Sequence, residues 1–301
     1  MENTVVIDQT ARALRRKERR AKIGKIAANV FIYFVLLLMY APIIYITVFS
    51  FSGHKVTGVW SGFTFDNYTS LFDPNYIASV EIWNAAKNTA LVAVTSALVS
   101  TVLGTLGAIG IYYLRKKWMR NTMDFITQIP VVNAEIVTAI SLLVLFVMLE
   151  PIMPRSFITL VIGHVVLSIP YVVMSVEPKL EQMDPSLYEA AMDLGATQTK
   201  ALWKVVIPDI VPGILSGFLL SITLSLDDYV ITVFTKPTNG GDFETISTYV
   251  DAVTKRSGIP QQLRAFTAIL FVVILIVMVV MNVKSRRNTL QALKKEKNKN
   301  A

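Results

Sequence analysis

The sequence predicts an all-α membrane protein with six transmembrane helices. Three observations carry that expectation. Hydrophobic residues make up 53% of the 301 positions and the mean hydropathy is +0.52, too apolar for a soluble chain of this length. Six apolar stretches, approximately 26–49, 88–113, 125–149, 157–176, 207–234 and 265–283, are long enough to cross a bilayer at about 20 residues each. Lysine and arginine outside these stretches are unevenly shared: 22 lie in segments 1–25, 114–124, 177–206 and 284–301, and 7 in segments 52–87, 150–156 and 235–264. Positive charge retained on the cytoplasmic face puts both termini inside a plasma membrane.

Composition also excludes chemistry. With no cysteine there is neither a disulfide framework nor a thiolate metal site, and two histidines, His54 and His164, do not make a His-ligated metal centre. The net charge of +8 is concentrated in the basic ends, residues 1–25 and 285–301, which flank a membrane domain of 26–284. Anionic lipid, rather than nucleic acid, is the partner such ends call for.

In chain order, ARALRRKERRAKIGK reads as a topology anchor or a surface helix on the inner leaflet, followed by a retained first span and not a cleaved signal. Segment 52–87 mixes Gly53, Gly58, Gly62 and Pro74 with Trp60, Phe63, Phe65, Tyr68 and Phe72, the composition of a short packed cap. Pro151 and Pro154 make EPIMPRS a tight outer turn. In segment 184–208, Asp184 is a good N-cap and Pro185 suits the first helical position. Leu187, Ala190, Ala191 and Leu194 then form one stripe, and Gly195 supplies the left-handed residue that ends it. A second helix starts at Thr197 and runs toward Pro208, where the fifth span begins. In segment 235–264, Ile246, Tyr249, Val250 and Val253 make the apolar face of a short outer helix that ends at Ser257-Gly258 and Pro260. The final KKEKNKN reads as a frayed tail.

The hairpin of 184–208 either packs on its own bundle or docks on another protein, since a ridge narrowed by Ala190 and Ala191 can enter a groove. Its sequence, EAAMDLGATQTKALWKVVIP, resembles the EAA loop of permease subunits of binding-protein-dependent ABC importers. Glu189, Ala190, Ala191, Gly195 and Pro208 match that motif, while Val205 and Ile207 replace the usual Ile and Leu. FTFDNYTSLF after the first span and NTALVAV at the second resemble the same family. The resemblance implies a type I importer permease fold in which this loop is a cytoplasmic coupling helix seated on an ATPase subunit.

Acidic groups inside apolar spans are costly and mark candidate functional sites. Glu135 falls 11 residues past Asp124, about 16 Å along a helix and close to mid-membrane. Asp227 and Asp228 fall near the outer end of the fifth span, about 29 Å beyond Pro208. No lysine or arginine lies in the third or fifth span to neutralise them, so a cation is a fitting counter-charge. The alternatives are a bracing carboxylic acid at Glu135 and a cap at a break for Asp227 and Asp228. Tyr171 and Tyr229 offer aromatic faces to an ammonium group or serve as packing anchors. His164, within LVIGHVVLS, has no evident carboxylate beside it and reads as a buried, backbone-bonded histidine.

EIVTAISLLVLFVMLE and TLSLDDYVITVF resemble the second permease of spermidine/putrescine importers, with Glu135 where that group has Asp. The resemblance implies a polyamine cargo, an ATPase dimer carrying the ATP and magnesium, a second permease and an extracytoplasmic substrate-binding protein. This chain itself has no GxxxxGK[ST] loop and is expected to hold no cofactor and catalyse no reaction. Iron, thiamine and phosphonate permeases share much of the pattern. An ion-coupled secondary transporter would show paired broken helices or a repeat, and neither is visible. An intramembrane enzyme would need a nucleophile and base.

Overall fold

The computed structural model describes residues 2–237, 243–256 and 258–299. Side chains are described for residues 22, 24–237, 243–256, 258–276, 278–280 and 283. Ser257 and the side chains of most of the basic N-terminal segment and of the C-terminal tail lie outside this set. The described residues form helices joined by short connections, with one isolated antiparallel bridge, Ser52 to Phe63. They divide into two compact units, Met1–Ser79 with Gly258–Ala301, and Val80–Ser257.

In the first unit, α1 (Glu2–Phe49) is a single helix that contains both the basic N-terminal segment and the first span. Chain 50–65 then folds into a collar against α2 (Asp66–Leu71). The expected aromatic cap is present: the Phe51 ring stacks on Phe63 at 5.1 Å, and Phe65 and Tyr68 pack edge-on or tilted against it. Asn67, buried, donates its carboxamide to the carbonyls of Ser50 and Ser52 at 2.7 and 2.9 Å. The last helix, α12 (Gln261–Lys299), packs on α1 and α2 and carries the sixth span; instead of fraying, its backbone stays helical into the tail. Arg264, fully buried at 0% exposure, donates to the carbonyls of Phe49, His54 and Lys55. It thereby places a cation at the C-terminus of α1, where the helix dipole favours one.

The second unit holds the remaining spans. The helix α3 (Ile77–Tyr112) starts well before residue 88, taking up chain expected to be loop. The third apolar stretch is not one helix. α4 (Lys117–Val132) and α5 (Glu135–Met148) meet at 100° across Asn133 and Ala134, both extended. Pro130 removes a backbone donor from the last turn of α4, which weakens the ladder where the chain turns. Glu135 therefore opens a new helix rather than riding up the old one. α6 (Phe157–Gln182) is the central rod of this unit, overrunning the expected end at residue 176. Small residues let its neighbours approach. A Cβ on Gly104 of α3 would lie 2.7 Å from Val172 Cβ, and one on Gly213 would lie 2.9 Å from the Ser175 carbonyl. Val172, Val173, Val176, Leu180, Ala108 and Ile210 form the core at these crossings.

α7 (Pro185–Asp193) is followed by α8 (Gln198–Ala201), a π-helical turn over Leu202–Val206, and α9 (Ile207–Asp227). No break occurs at Pro208. The second arm of the loop and the fifth span form one helix of 30 residues, and the wider turn lies just before the proline that cannot donate. The fifth span instead breaks at Asp228-Tyr229, before α10 (Val230–Thr235). Finally α11 (Ile246–Arg256) forms as expected, with Tyr249 buried.

Candidate functional site

Two regions of the second unit carry the chemistry. The first is the 184–208 loop. Asp184 caps α7 by accepting from Ser186 N–H at 3.0 Å, and this bond holds the carboxyl below its ordinary pKa. Gly195 has φ +84° and closes a Schellman pattern: its N–H bonds the Met192 carbonyl, and Ala196 N–H bonds that of Ala191. Thr197 starts the second arm by accepting from Lys200 N–H. None of the nine α7 residues is buried.

Tyr188 anchors the helix, packing on the α6 core and against the Tyr113 ring at 5.5 Å. Leu187, Glu189, Ala190 and Leu194 stay exposed, Leu194 at 90%, and Trp203 and Pro208 of the second arm are exposed too. Three of the four stripe residues are therefore uncovered in this chain, Ala191 being half-buried, and the main bundle contact is made by Tyr188.

The second region is the break in span five. Asp228 is buried at 5% exposure, and its carboxylate accepts from Ile231 N–H at 3.2 Å, Thr232 N–H at 2.8 Å and Thr232 hydroxyl at 2.8 Å. It caps α10, as one of the two sequence alternatives had it. Asp227, one residue earlier, is exposed. The packing of α10 on α5 brings the Glu135 carboxyl within hydrogen-bonding reach of Asp228 and within electrostatic reach of Asp227. The three acidic residues picked from separate spans thus form one group.

The tyrosines do not join it in the same way. Tyr229 turns its hydroxyl to Asp251 of α11 at 2.8 Å, and Tyr171 is half-buried on α6, about 10 Å along the helix from His164.

His164 corrects the sequence reading. At 1% exposure its ring is held by side chains rather than by backbone: Nδ1 lies 2.8 Å from Ser225 Oγ, and Nε2 lies 3.0 Å from Thr232 Oγ1 and 3.5 Å from Asp228 Oδ2. The carboxylate that seemed absent comes from residue 228. Ser225, Asp228 and Thr232 lie at helical spacing, which was legible. Their facing a histidine 61 to 68 residues away was not.

Residues 100–286 match the family described as the binding-protein-dependent transport system inner membrane component. The chain belongs to that family. The permease is 31% identical over 270 residues to the Escherichia coli (strain K12) spermidine/putrescine transport system permease protein PotC, covering 89% of this chain and 97% of that one. It is 30% identical over 260 residues to PotC of Haemophilus influenzae, covering 86% and 96%. It is 34% identical over 200 residues to the E. coli putrescine transport system permease protein PotI, covering 65% and 69%. In fold the permease is similar to a chain of a bacterial ABC transporter involved in import of the acidic polysaccharide alginate, with TM-score 0.65 at 20% identity over 92% and 99% of the two chains. The permease is therefore an all-helical, multi-pass inner-membrane component with an ABC-importer permease fold, in a family that is not catalytic.

Proposed function

We propose that this permease forms the translocation path of an ATP-driven importer for polyamines of the spermidine/putrescine class. The observation that carries the reading is the convergence of Glu135, Asp227 and Asp228 at one helix break. With no lysine or arginine in the two apolar stretches, the exposed Asp227 and the Glu135 carboxyl beside it suit a flexible, multiply charged cation whose ammonium groups donate to their oxygens, while Asp228 is committed to the α10 cap that holds them. The similarity to permeases named for spermidine and putrescine supports the same cargo.

In this reading the exposed face of α7, with Glu189, Ala190 and Gly195 and the half-buried Ala191 at its edge, is the seat for one subunit of a cytoplasmic ATPase dimer, and Pro208 marks the turn that joins the seat to span five. ATP and magnesium are held by that dimer. A second permease completes the path, and an extracytoplasmic binding protein delivers the cargo. Both termini face the cytoplasm. Closure of the ATPases biases α6 and α9 between outward-open and inward-open arrangements. Tyr171 and Tyr229 flank the route as aromatic contacts.

The test is uptake of labelled spermidine into vesicles bearing the assembled transporter, with and without ATP, challenged by putrescine, thiamine and ferric ion. ATP-dependent uptake competed by putrescine alone supports the proposal. Competition by thiamine or iron instead would reassign the cargo, and uptake indifferent to ATP would reject the importer reading.

A further inference from the structure

Outside the carboxylates that would meet a cation lies a buried chain of polar side chains with no assigned task. It starts on α3, where Ser96 and Ser100 contact Ser225 and Ser221 of α9 at 3.2 and 2.7 Å. It crosses α6 at His164 and ends on α10 and the break. Proton accounting gives it a direction. The Asp228 carboxylate can only accept, so the Thr232 hydroxyl, 2.8 Å away, spends its hydrogen there. Thr232 Oγ1 must then accept from His164 Nε2–H at 3.0 Å. In the neutral ring this leaves Nδ1 as the acceptor, filled by the Ser225 hydroxyl at 2.8 Å. Every hydrogen in Ser225, His164 and Thr232 thus points toward Asp228.

We propose that His164 is a positioning residue for transport: its relay from α9 through α6 to α10 holds Asp228 as the fixed corner of the break, and so sets where Asp227 and Glu135 present their carboxyls. This rests on the cationic-cargo reading for the role of those two carboxyls, though not for the relay itself. The corner is fixed on other sides as well. Asp228 caps α10 through two backbone N–H groups, and its own carbonyl accepts from Ser247 at 2.6 Å. Asp228 therefore has its oxygens committed inside the protein, while Asp227 is exposed and Glu135 begins a helix beside it. The paired aspartates divide their labour: one is a bracket, the other a contact.

The absence of native cysteine makes the test direct, because a single reporter, Leu226→Cys in the exposed last turn of α9, can be labelled in the assembled transporter by a membrane-impermeant cationic methanethiosulfonate. His164→Leu removes both ring partners at similar volume, and His164→Gln keeps an N–H donor where Nε2 sits. Losing one buried hydrogen-bond partner is worth about a tenfold change in labelling rate and in maximal uptake rate. The expected order is wild type, then Gln, then Leu. A packing role gives the reverse, with Leu near wild type and Gln impaired, and overturns the proposal. If His164→Leu does not accumulate in membranes, Ser225→Ala with Thr232→Val cuts the relay at both ends and leaves the ring in place. Unchanged labelling and uptake in that pair would equally overturn it. Labelling needs no cargo, so a wild-type transporter that carries no polyamine would sink the cargo reading while the order of labelling rates still judges the relay.

Discussion

Adjacent aspartates with opposite surroundings require separate substitutions. Asp227→Asn removes an exposed charge, so the expected outcome is a raised KM for uptake with normal membrane level. Asp228→Asn halves the acceptor capacity of a buried cap and is expected to cost about 1–3 kcal/mol, read as a lower Tm of the detergent-solubilised complex. Gly195→Ala forces a side chain into φ +84°, worth about 1 kcal/mol, and is expected to uncouple ATP hydrolysis from uptake while leaving insertion intact. On α11, Asp251 is held below the ordinary carboxylate pKa by Lys255, 2.8 Å away, and by the Tyr229 hydroxyl. A depressed pKa means that this tether is complete at neutral pH and is lost as pH falls below about 4. Protection of the α11 amides, taken relative to the intrinsic exchange rate at each pH, is therefore expected to fall in acid, and not in Asp251→Asn, which has no charge left to lose. Caps such as Asp184 and Gly195 were legible because their partners lie within a turn or two. His164 was not, because its partners arrive only when α9 and α10 fold against α6.

Hydropathy located five helices able to cross a membrane and the bent α4–α5 pair as a candidate sixth, and missed how two of these stretches are built. Average apolar content is blind to a 100° bend at Asn133-Ala134 or a break at Asp228-Tyr229, since neither costs the window enough polarity to register. Those interruptions are what gather Glu135, Asp227 and Asp228 from two spans into one place, so the site depends on the features the pattern smoothed over. Conversely α7 was legible in full, and the structure adds which face is free: Tyr188 is committed to the bundle, and the stripe of Leu187, Ala190 and Leu194 is not. Close approach of α3 to α6 is set at Gly104. Gly104→Ala puts a methyl 2.7 Å from Val172 Cβ, and such overpacking costs about 1–3 kcal/mol. Thermal unfolding in detergent is expected to fall in the single variant and recover when Val172→Ala is added. Equal losses with no recovery would place the strain elsewhere.

At the scale of the molecule, the family, the fold and the non-catalytic role follow from the match over residues 100–286 and the alginate-transporter likeness. A cysteine introduced at Leu194 is expected to cross-link to the ATPase subunit in native membranes, and its failure to do so would remove α7 as the seat. One feature of the first unit bears on how the chain is made. The collar of residues 50–65 is closed by Arg264 and by Gln261, which donates to the Gly53 carbonyl, across sequence gaps of 208 to 215 residues. Synthesis therefore completes the collar long before its clasp exists, and the first span waits through the making of the intervening helices with its collar end unfastened. Fastening of the first unit is thus a late event, made only once Gln261 and Arg264 have been synthesised.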